Sequence, residues 1–443
     1  MKTFKLGGVH PAENKLSENN AIETLAVPKK VYVPISQNLG APSKALVNKG
    51  DEVKVGQVIA KGEAFISANV HSPVSGKVFK IDDVMDQSGY KRPCIIINVE
   101  DDNWEESIDR TDNLLKDIKL SQKEIIDKIH EMGIVGLGGA TFPSHVKLMV
   151  PKGKKAEVLL INGVECEPYL TSDHRLMMEK GEQVLIGTQI LMKGLGVSKA
   201  MIGIENNKPD AIKHMQKLAQ NYEGISVHAL KVKYPQGAEK QLIKALTGRE
   251  VPSGKLPIEV GCVVNNVGTA FAVYEAVQKN KPLFERVVTV TGKNLKKTSN
   301  FLVRIGTPVS ELLAAVEGIP ENTGKIVSGG PMMGKALFNE DVPVVKGTSG
   351  ILLFDEKESR RVPMRTCIRC AKCIKVCPMG LEPVLLSQLS QKQMWENAEE
   401  ERIMDCMECG SCHYTCPSGR PLLDYIRVGK QEVGKMIRNR GKK

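Results

Sequence analysis

Apolar and polar positions follow four successive rhythms along this chain of 443 residues. From Val31 to Val99, β-branched runs such as Val53-Lys54-Val55 and Val58-Ile59-Ala60 alternate with turns at Asn48-Lys49-Gly50-Asp51 and Gly56-Gln57, which predicts an all-β module. From about Ser121 to Lys281, apolar strands (Val158–Ile161, Met201–Ile204) alternate with helical stretches (Lys123–Met132, Ala211–Ala219), as in a sheet covered by helices. A small α+β domain follows: Val287–Val290, a Gly292-Lys293-Asn294 turn, Phe301–Ile305 and a helix opened by Thr307-Pro308. A polar stretch, Asp355 to Arg361, leads to a cysteine-rich end. The expected domains are 1–115, 116–282, 283–355 and 356–443.

Composition narrows the class. Apolar residues make up 41% of the chain, enough for folded domains, while aromatics make up 4%, too few for a base-stacking platform despite a net charge of +11. Much of that charge lies between Arg420 and Lys443, where eight Lys/Arg face two carboxylates, so no nucleic acid is expected as partner. The most apolar stretch, Val184–Val197, is interrupted by Lys193 and three glycines and falls short of a membrane span. The start Met1-Lys2-Thr3-Phe4-Lys5 has no apolar signal core, so a cytoplasmic location is expected. Eleven cysteines in such a chain point to metal rather than disulfides.

Eight of them form two runs of one spacing. Cys367, Cys370, Cys373 and Cys377 precede Pro378; Cys406, Cys409, Cys412 and Cys416 precede Pro417. This is the bacterial ferredoxin pattern, whose close spacing lets three thiolates reach three corners of one [4Fe–4S] cubane. Zinc is the alternative, but zinc motifs generally offer two separated pairs. By the rule of two-cluster ferredoxins the fourth cysteine crosses over, so Cys416 joins Cys367, Cys370 and Cys373, while Cys377 joins Cys406, Cys409 and Cys412. Cys94, Cys166 and Cys262 read as free or buried thiols. Arg365, Arg369, Lys372 and Lys375 surround the first run, either solvated or facing an acidic partner.

The glycine-dense segment Gly136-Leu137-Gly138-Gly139-Ala140-Thr141-Phe142-Pro143 permits close backbone approach to a phosphate, a weak signal alone. With Asn162-Gly163-Val164-Glu165-Cys166-Glu167-Pro168, Tyr234-Pro235-Gln236-Gly237-Ala238-Glu239 and Asn265-Asn266, it resembles the FMN-binding, NADH-oxidising subunit of respiratory complex I. The segment through Ser72-Pro73-Val74-Ser75-Gly76-Lys77-Val78 resembles the barrel-sandwich hybrid of lipoyl and biotinyl carriers, although the hairpin tip Gly62-Glu63-Ala64-Phe65 lacks their modified lysine. Taken whole, the chain resembles the RnfC family, the NADH-side subunits of Rnf complexes.

That resemblance implies a multidomain α/β and α+β protein: barrel-sandwich hybrid, Rossmann-like FMN/NAD domain, SLBB-like β-grasp domain and ferredoxin-like two-cluster domain. It implies noncovalent FMN held by Gly136, Gly138, Gly139, Ala140, Lys147, Asn162, Glu165, Tyr234, Gly237, Asn265 and Asn266. Phe142, Glu167 and Glu239 would meet NAD(H), a carboxylate there favouring NAD over NADP by repelling a 2′-phosphate. Two departures from the complex I pattern stand out: Leu137 replaces an arginine and Val164 an aspartate. The implied partners are membrane-embedded and ferredoxin-like Rnf subunits, and indirectly ferredoxin, with attachment to the inner face of the membrane through those partners. A cobalamin-reductase-like flavoprotein, a diaphorase subunit and a cluster-wiring adaptor with a dead flavin pocket are the alternatives. The terminal helix from Pro421, with Leu422, Leu423, Ile426, Val433, Met436 and Ile437 on one face, either packs on the cluster domain or helps docking.

Overall fold

The computed structural model describes residues 1–441. Two small antiparallel sheets, of four and three strands, enclose Val31, Val33, Ile59, Val70, Val78, Ile95 and Ile97. The alternation read from Val31 to Val99 thus points its branched residues inward, as a sandwich requires.

Residues 1–25 leave that module. Isolated bridges tie Lys2 to Leu230 and Val9 to Tyr234 in the central domain, and Ile22–Thr24 adds an edge strand parallel to Ser299–Arg304 in the sheet of the following α+β domain. That mixed sheet has six strands and carries the helix Val309–Ala315.

The central sheet is parallel throughout, in the order Ile225–Leu230, Ala200–Glu205, Val158–Asn162, Cys262–Asn266. Its strands are nearly continuous apolar runs because helices cover both faces. The chain steps from Val158–Asn162 outward one way, then returns to add Cys262–Asn266 on the other side. This reversal opens a crevice at the carboxyl ends of those two strands, where Asn162 pairs in register with Asn266.

One buried lysine joins three of these units. Lys346 Nζ donates to Asn69 O at 2.8 Å and Gly133 O at 2.7 Å, and Arg286 donates to the Lys346 carbonyl. Burial pulls its ammonium down to about 7. The unfolded chain therefore holds more protons between that value and the ordinary lysine range, so this group makes stability rise as pH climbs from about 7 towards 10. Lys346→Met leaves two buried carbonyls unpaired and is expected to cost about 2–4 kcal/mol and to flatten that rise, read by thermal melting across pH.

The C-terminal domain packs helices Pro383–Gln391, Trp395–Glu400 and Leu422–Arg440 around Leu386, Ala398, Ile403, Ile426 and Val433. A Cβ on Gly429 would stand 2.1 Å from Ser390 Oγ, so the glycine permits the close crossing of the terminal helix. Leu422, Leu423, Ile426 and Val433 are buried against the domain, whereas Ile437 is 40% exposed.

Candidate flavin crevice and cluster sites

At the switch point, polar strand ends and a helix start converge. Asn266 caps the helix Val267–Gln278, its Oδ1 accepting from Gly268 N at 2.8 Å. Its Nδ2 donates to Asp173 Oδ2 at 2.7 Å and Asn162 O at 3.2 Å. Asn162 Nδ2 donates to Gly237 O at 2.8 Å, tying the Tyr234–Glu239 segment to the strand end. These two asparagines shape the walls. Asn265 Nδ2, by contrast, is buried without a partner, a donor free for a ligand.

The glycine loop closes over the same point. Gly136 N donates to Phe142 O at 2.9 Å and Leu137 N to Thr269 Oγ1 at 2.9 Å, while the Leu137 side chain is buried. A Cβ on Gly138 would come within 2.9 Å of the Asn266 side chain, so only glycine fits there. A Cβ on Gly139 would meet nothing within 4 Å, leaving room at the neighbouring position. Lys147 Nζ donates to Val264 O at 2.8 Å and pairs with Glu239 at 3.1 Å on the rim. From the barrel module, Leu39 N reaches Thr141 O at 3.1 Å. The free Asn265 donor and the open glycine position suit a planar group ending in phosphate, as FMN does.

The two glutamates of the Asn162–Pro168 segment have other neighbours. Glu165, in the left-handed region at φ 48°, accepts from Asp173 N at 2.7 Å and His174 N at 3.3 Å, which caps the helix Ser172–Glu179. Glu167 Oε2 accepts from Met332 N at 3.0 Å, and Tyr234 Oη lies 3.4 Å from its Oε1. Burial pushes the Glu167 carboxyl up to about 7. The same Tyr234 hydroxyl donates to Cys409 O at 2.8 Å. Tyr234 and Glu167 thus sit at a joint where the crevice wall meets the second cysteine run.

Sequence reasoning missed three groups beneath the crevice. Lys15 Nζ gathers Glu165 O at 2.8 Å, Glu167 O at 3.0 Å and Leu170 O at 2.6 Å, and Lys208 Nζ takes Val164 O at 2.9 Å. Asp173 is held up to about 7 by burial and by Glu165. Lys15, about 150 residues away in sequence, left no local signal. Of the other thiols, Cys94 and Cys262 are buried, and Cys166 Sγ accepts from Gly237 N at 3.3 Å.

The cysteine runs share a backbone. Arg369 and Ala371 in the first, and Glu408 and Gly410 in the second, occupy the left-handed region on either side of the middle cysteine. Such alternation turns successive N–H groups inward as an anion nest. Cys406, Cys409 and Cys412 line one small cavity together with Cys377, among Leu381, Leu386 and Ile426. Burial pushes up the thiols of Cys406, Cys409 and Cys412, with Cys377 adding a smaller push to each; burial also raises Cys373, with a smaller push from Cys416. Among the described residues no three His, Cys, Asp or Glu groups stand close enough to grip one metal ion. Four thiols around one mostly apolar cavity suit a polynuclear cluster.

A switch-point flavin crevice joined to a double cysteine run defines an electron-transfer flavoprotein with two iron–sulfur clusters. Family profiles agree: an RnfC barrel sandwich hybrid domain matches residues 2–102, a Nuo51 FMN-binding domain 129–275, an SLBB domain 287–336 and a 4Fe-4S dicluster domain 361–417. The chain is 49% identical over 98% of its length, and 94% of the relative's, to a component of the proton-translocating ferredoxin:NAD(+) oxidoreductase complex of Clostridium ljungdahlii. It is 44% identical, with 97% of each chain covered, to the counterpart in the Na(+)-translocating ferredoxin:NAD(+) oxidoreductase complex of Acetobacterium woodii. A component of the ion-translocating oxidoreductase complex of Rhodobacter capsulatus is 40% identical over 98% of this chain and 84% of its own. The chain belongs to the RnfC family. In fold it is also similar to a chain of an NAD+-reducing [NiFe]-hydrogenase, with TM-score 0.50, 17% identity, and 71% of this chain and 63% of that chain covered.

Proposed function

We propose that this chain is the NAD(H)-facing subunit of an ion-translocating ferredoxin:NAD oxidoreductase, working from the cytoplasmic face of the membrane through membrane-embedded and ferredoxin-like partner subunits. The observation that carries the reading is the hydroxyl of Tyr234, which spans from the crevice wall to the Cys409 carbonyl. FMN in the crevice would exchange hydride with NAD(H) and single electrons with the clusters.

The residues divide the work. Asn265 offers the flavin a buried donor; Gly138, Gly139 and Ala140 let backbone approach the phosphate, with Lys147 supplying charge. Asn162 and Asn266 hold the crevice open through their donating amides, and Glu165 through its accepting carboxylate. Phe142 closes the glycine loop. Gly237 fixes the wall through Asn162, and Glu239, 42% exposed on the rim, faces the nucleotide ribose. Tyr234 and Glu167 brace the passage to the second run, whose cluster is held by Cys377, Cys406, Cys409 and Cys412; Cys367, Cys370, Cys373 and Cys416 hold the other. Among the described residues no helix is long and apolar enough to cross a membrane, so attachment falls to partners. The names of the relatives support the same assembly.

Flavin bleaching by the two nucleotides tests the nucleotide side. NADH should bleach the flavin much faster than NADPH, and Glu239→Arg should narrow the ratio by about tenfold as a rim carboxylate becomes a phosphate partner. An unchanged ratio would remove Glu239 from the site.

A further inference from the structure

An open groove of about 540 Å³ lies between the terminal helix Leu422–Arg440 and the segment around Met333 and Lys335 of the β-grasp domain, within the size range of small-molecule sites. Arg427, Lys430, Gly434 and Arg438 recur every three or four residues and so share one face of that helix. Gly434 leaves a gap in the row: a Cβ there would meet only Arg438 Nη1 at 3.5 Å and Met404 Cε at 3.8 Å. With Lys335 from the other domain, four cations line the groove against one carboxylate, Glu408, which takes Arg427 at 3.2 Å and Lys430 at 3.0 Å. Lys335 Nζ donates to the neutral Ser88 hydroxyl at 2.7 Å, and Arg438 joins no ion pair among the described residues. Like charges gathered in a hollow repel one another until an anion enters. Met333 and Met404, 45% and 42% exposed, add soft apolar surface on which a flat ring can rest.

We propose that this groove binds a nucleoside di- or triphosphate, its phosphates held by Lys335 and Arg438, its remaining charge met by Arg427 and Lys430, and its base lying against the two thioethers. A lining of nine residues suits a small anion better than a protein, whose interfaces take roughly 20–30 residues a side. Lys430 Nζ also donates to Cys406 O at 2.5 Å, so the groove touches the backbone of the second run. On the reading that Cys377, Cys406, Cys409 and Cys412 hold a cluster, phosphate charge beside that cluster makes it harder to reduce, and the bound nucleotide regulates electron flow through it.

The test titrates ATP and inorganic triphosphate into full-length, anaerobically loaded, oxidised protein saturated with NAD⁺, with binding read by calorimetry. ATP should bind despite the NAD⁺, and about fivefold tighter than inorganic triphosphate. Lys335→Gln combined with Arg438→Gln, both exposed, should weaken it about tenfold with iron and FMN unchanged. Gly434→Leu fills the gap and should abolish binding while favouring the helix. In a redox titration followed by paramagnetic resonance, ATP should make one cluster of the parent harder to reduce, and the double variant should lose that response. Displacement of ATP by NAD⁺ would put the nucleotide in the flavin crevice and overturn the proposal, as would parental binding in both variants. Equal affinity for inorganic triphosphate overturns the nucleoside assignment, and binding without a shift overturns the regulatory role. Absence of ATP binding, with sedimentation on phosphatidylglycerol–phosphatidylcholine vesicles that the double variant abolishes, would make the groove a lipid headgroup contact and overturn it too. Because binding is read independently of the clusters, protein that binds ATP but holds no iron would void the cluster reading and leave the site standing.

Discussion

Cys377→Ala is expected to lower bound iron from about eight to about four per chain, and the cluster lost is that of the other run. The structure places Cys377 in the wall of the cavity lined by Cys406, Cys409 and Cys412. A cubane that loses one of four thiolates there finds no fifth thiol in the lining, which otherwise offers the aliphatic Leu381, Leu386, Leu423 and Ile426, the weak thioethers Met379 and Met407, and the hydroxyl of Ser411. Double variants identify the cluster without assigning spectra. Cys377→Ala combined with Cys406→Ala should lose no more iron than Cys406→Ala alone, whereas Cys377→Ala with Cys367→Ala should lose both clusters. The opposite pattern of additivity, read by iron analysis, would contradict the crossover.

Gly138→Val is expected to empty the flavin crevice while leaving iron intact. Its Cβ would fall 2.9 Å from both Cβ and Nδ2 of Asn266, and Asn266 is the helix cap that also holds Asp173 and the end of the neighbouring strand. Either the loop retreats or the asparagine does; overpacking of this kind costs about 1–3 kcal/mol, which the four domain cores can absorb. FMN content should drop from about one per chain to near zero, since both routes remove the phosphate cradle. Asn265→Leu is the gentler variant. It removes one unpaired donor and should weaken FMN binding by about tenfold. Full retention of FMN in Gly138→Val would move the flavin away from this crevice.

The two sites were legible to different depths because their signals have different ranges. Within each run the cysteines sit only a few residues apart, so spacing alone marked them as cluster candidates, and the proposed crossover likewise rests on a pattern. The glycine loop and the asparagines at the strand ends were also local, since a parallel strand must end in polar residues where its crevice opens. Glu165 and Glu167 were expected from their segment to meet flavin and nucleotide, whereas the partners they show are a helix start eight residues on for one and Met332 for the other. Tyr234 was expected as a pocket wall, and its contact with Cys409 spans 175 residues. Lys15 and Lys346 left no pattern at all, because a buried lysine is stabilised by carbonyls brought from distant segments. The early strand Ile22–Thr24 is three residues long and polar at two of them, too short for any alternation to register.

Joining crevice to clusters is the central claim, and one measurement bears on it most directly. The protein, with both clusters reduced photochemically and excess reductant removed, is mixed anaerobically with NAD⁺ while NADH absorbance and cluster paramagnetic resonance are followed together. NADH should appear at one molecule per two electrons withdrawn, the cluster signals should fade in step, and flavin-free Gly138→Val should keep its clusters reduced and form none. Clusters that stay reduced beside NAD⁺ in flavin-loaded protein, or that reduce NAD⁺ equally well without flavin, would contradict it.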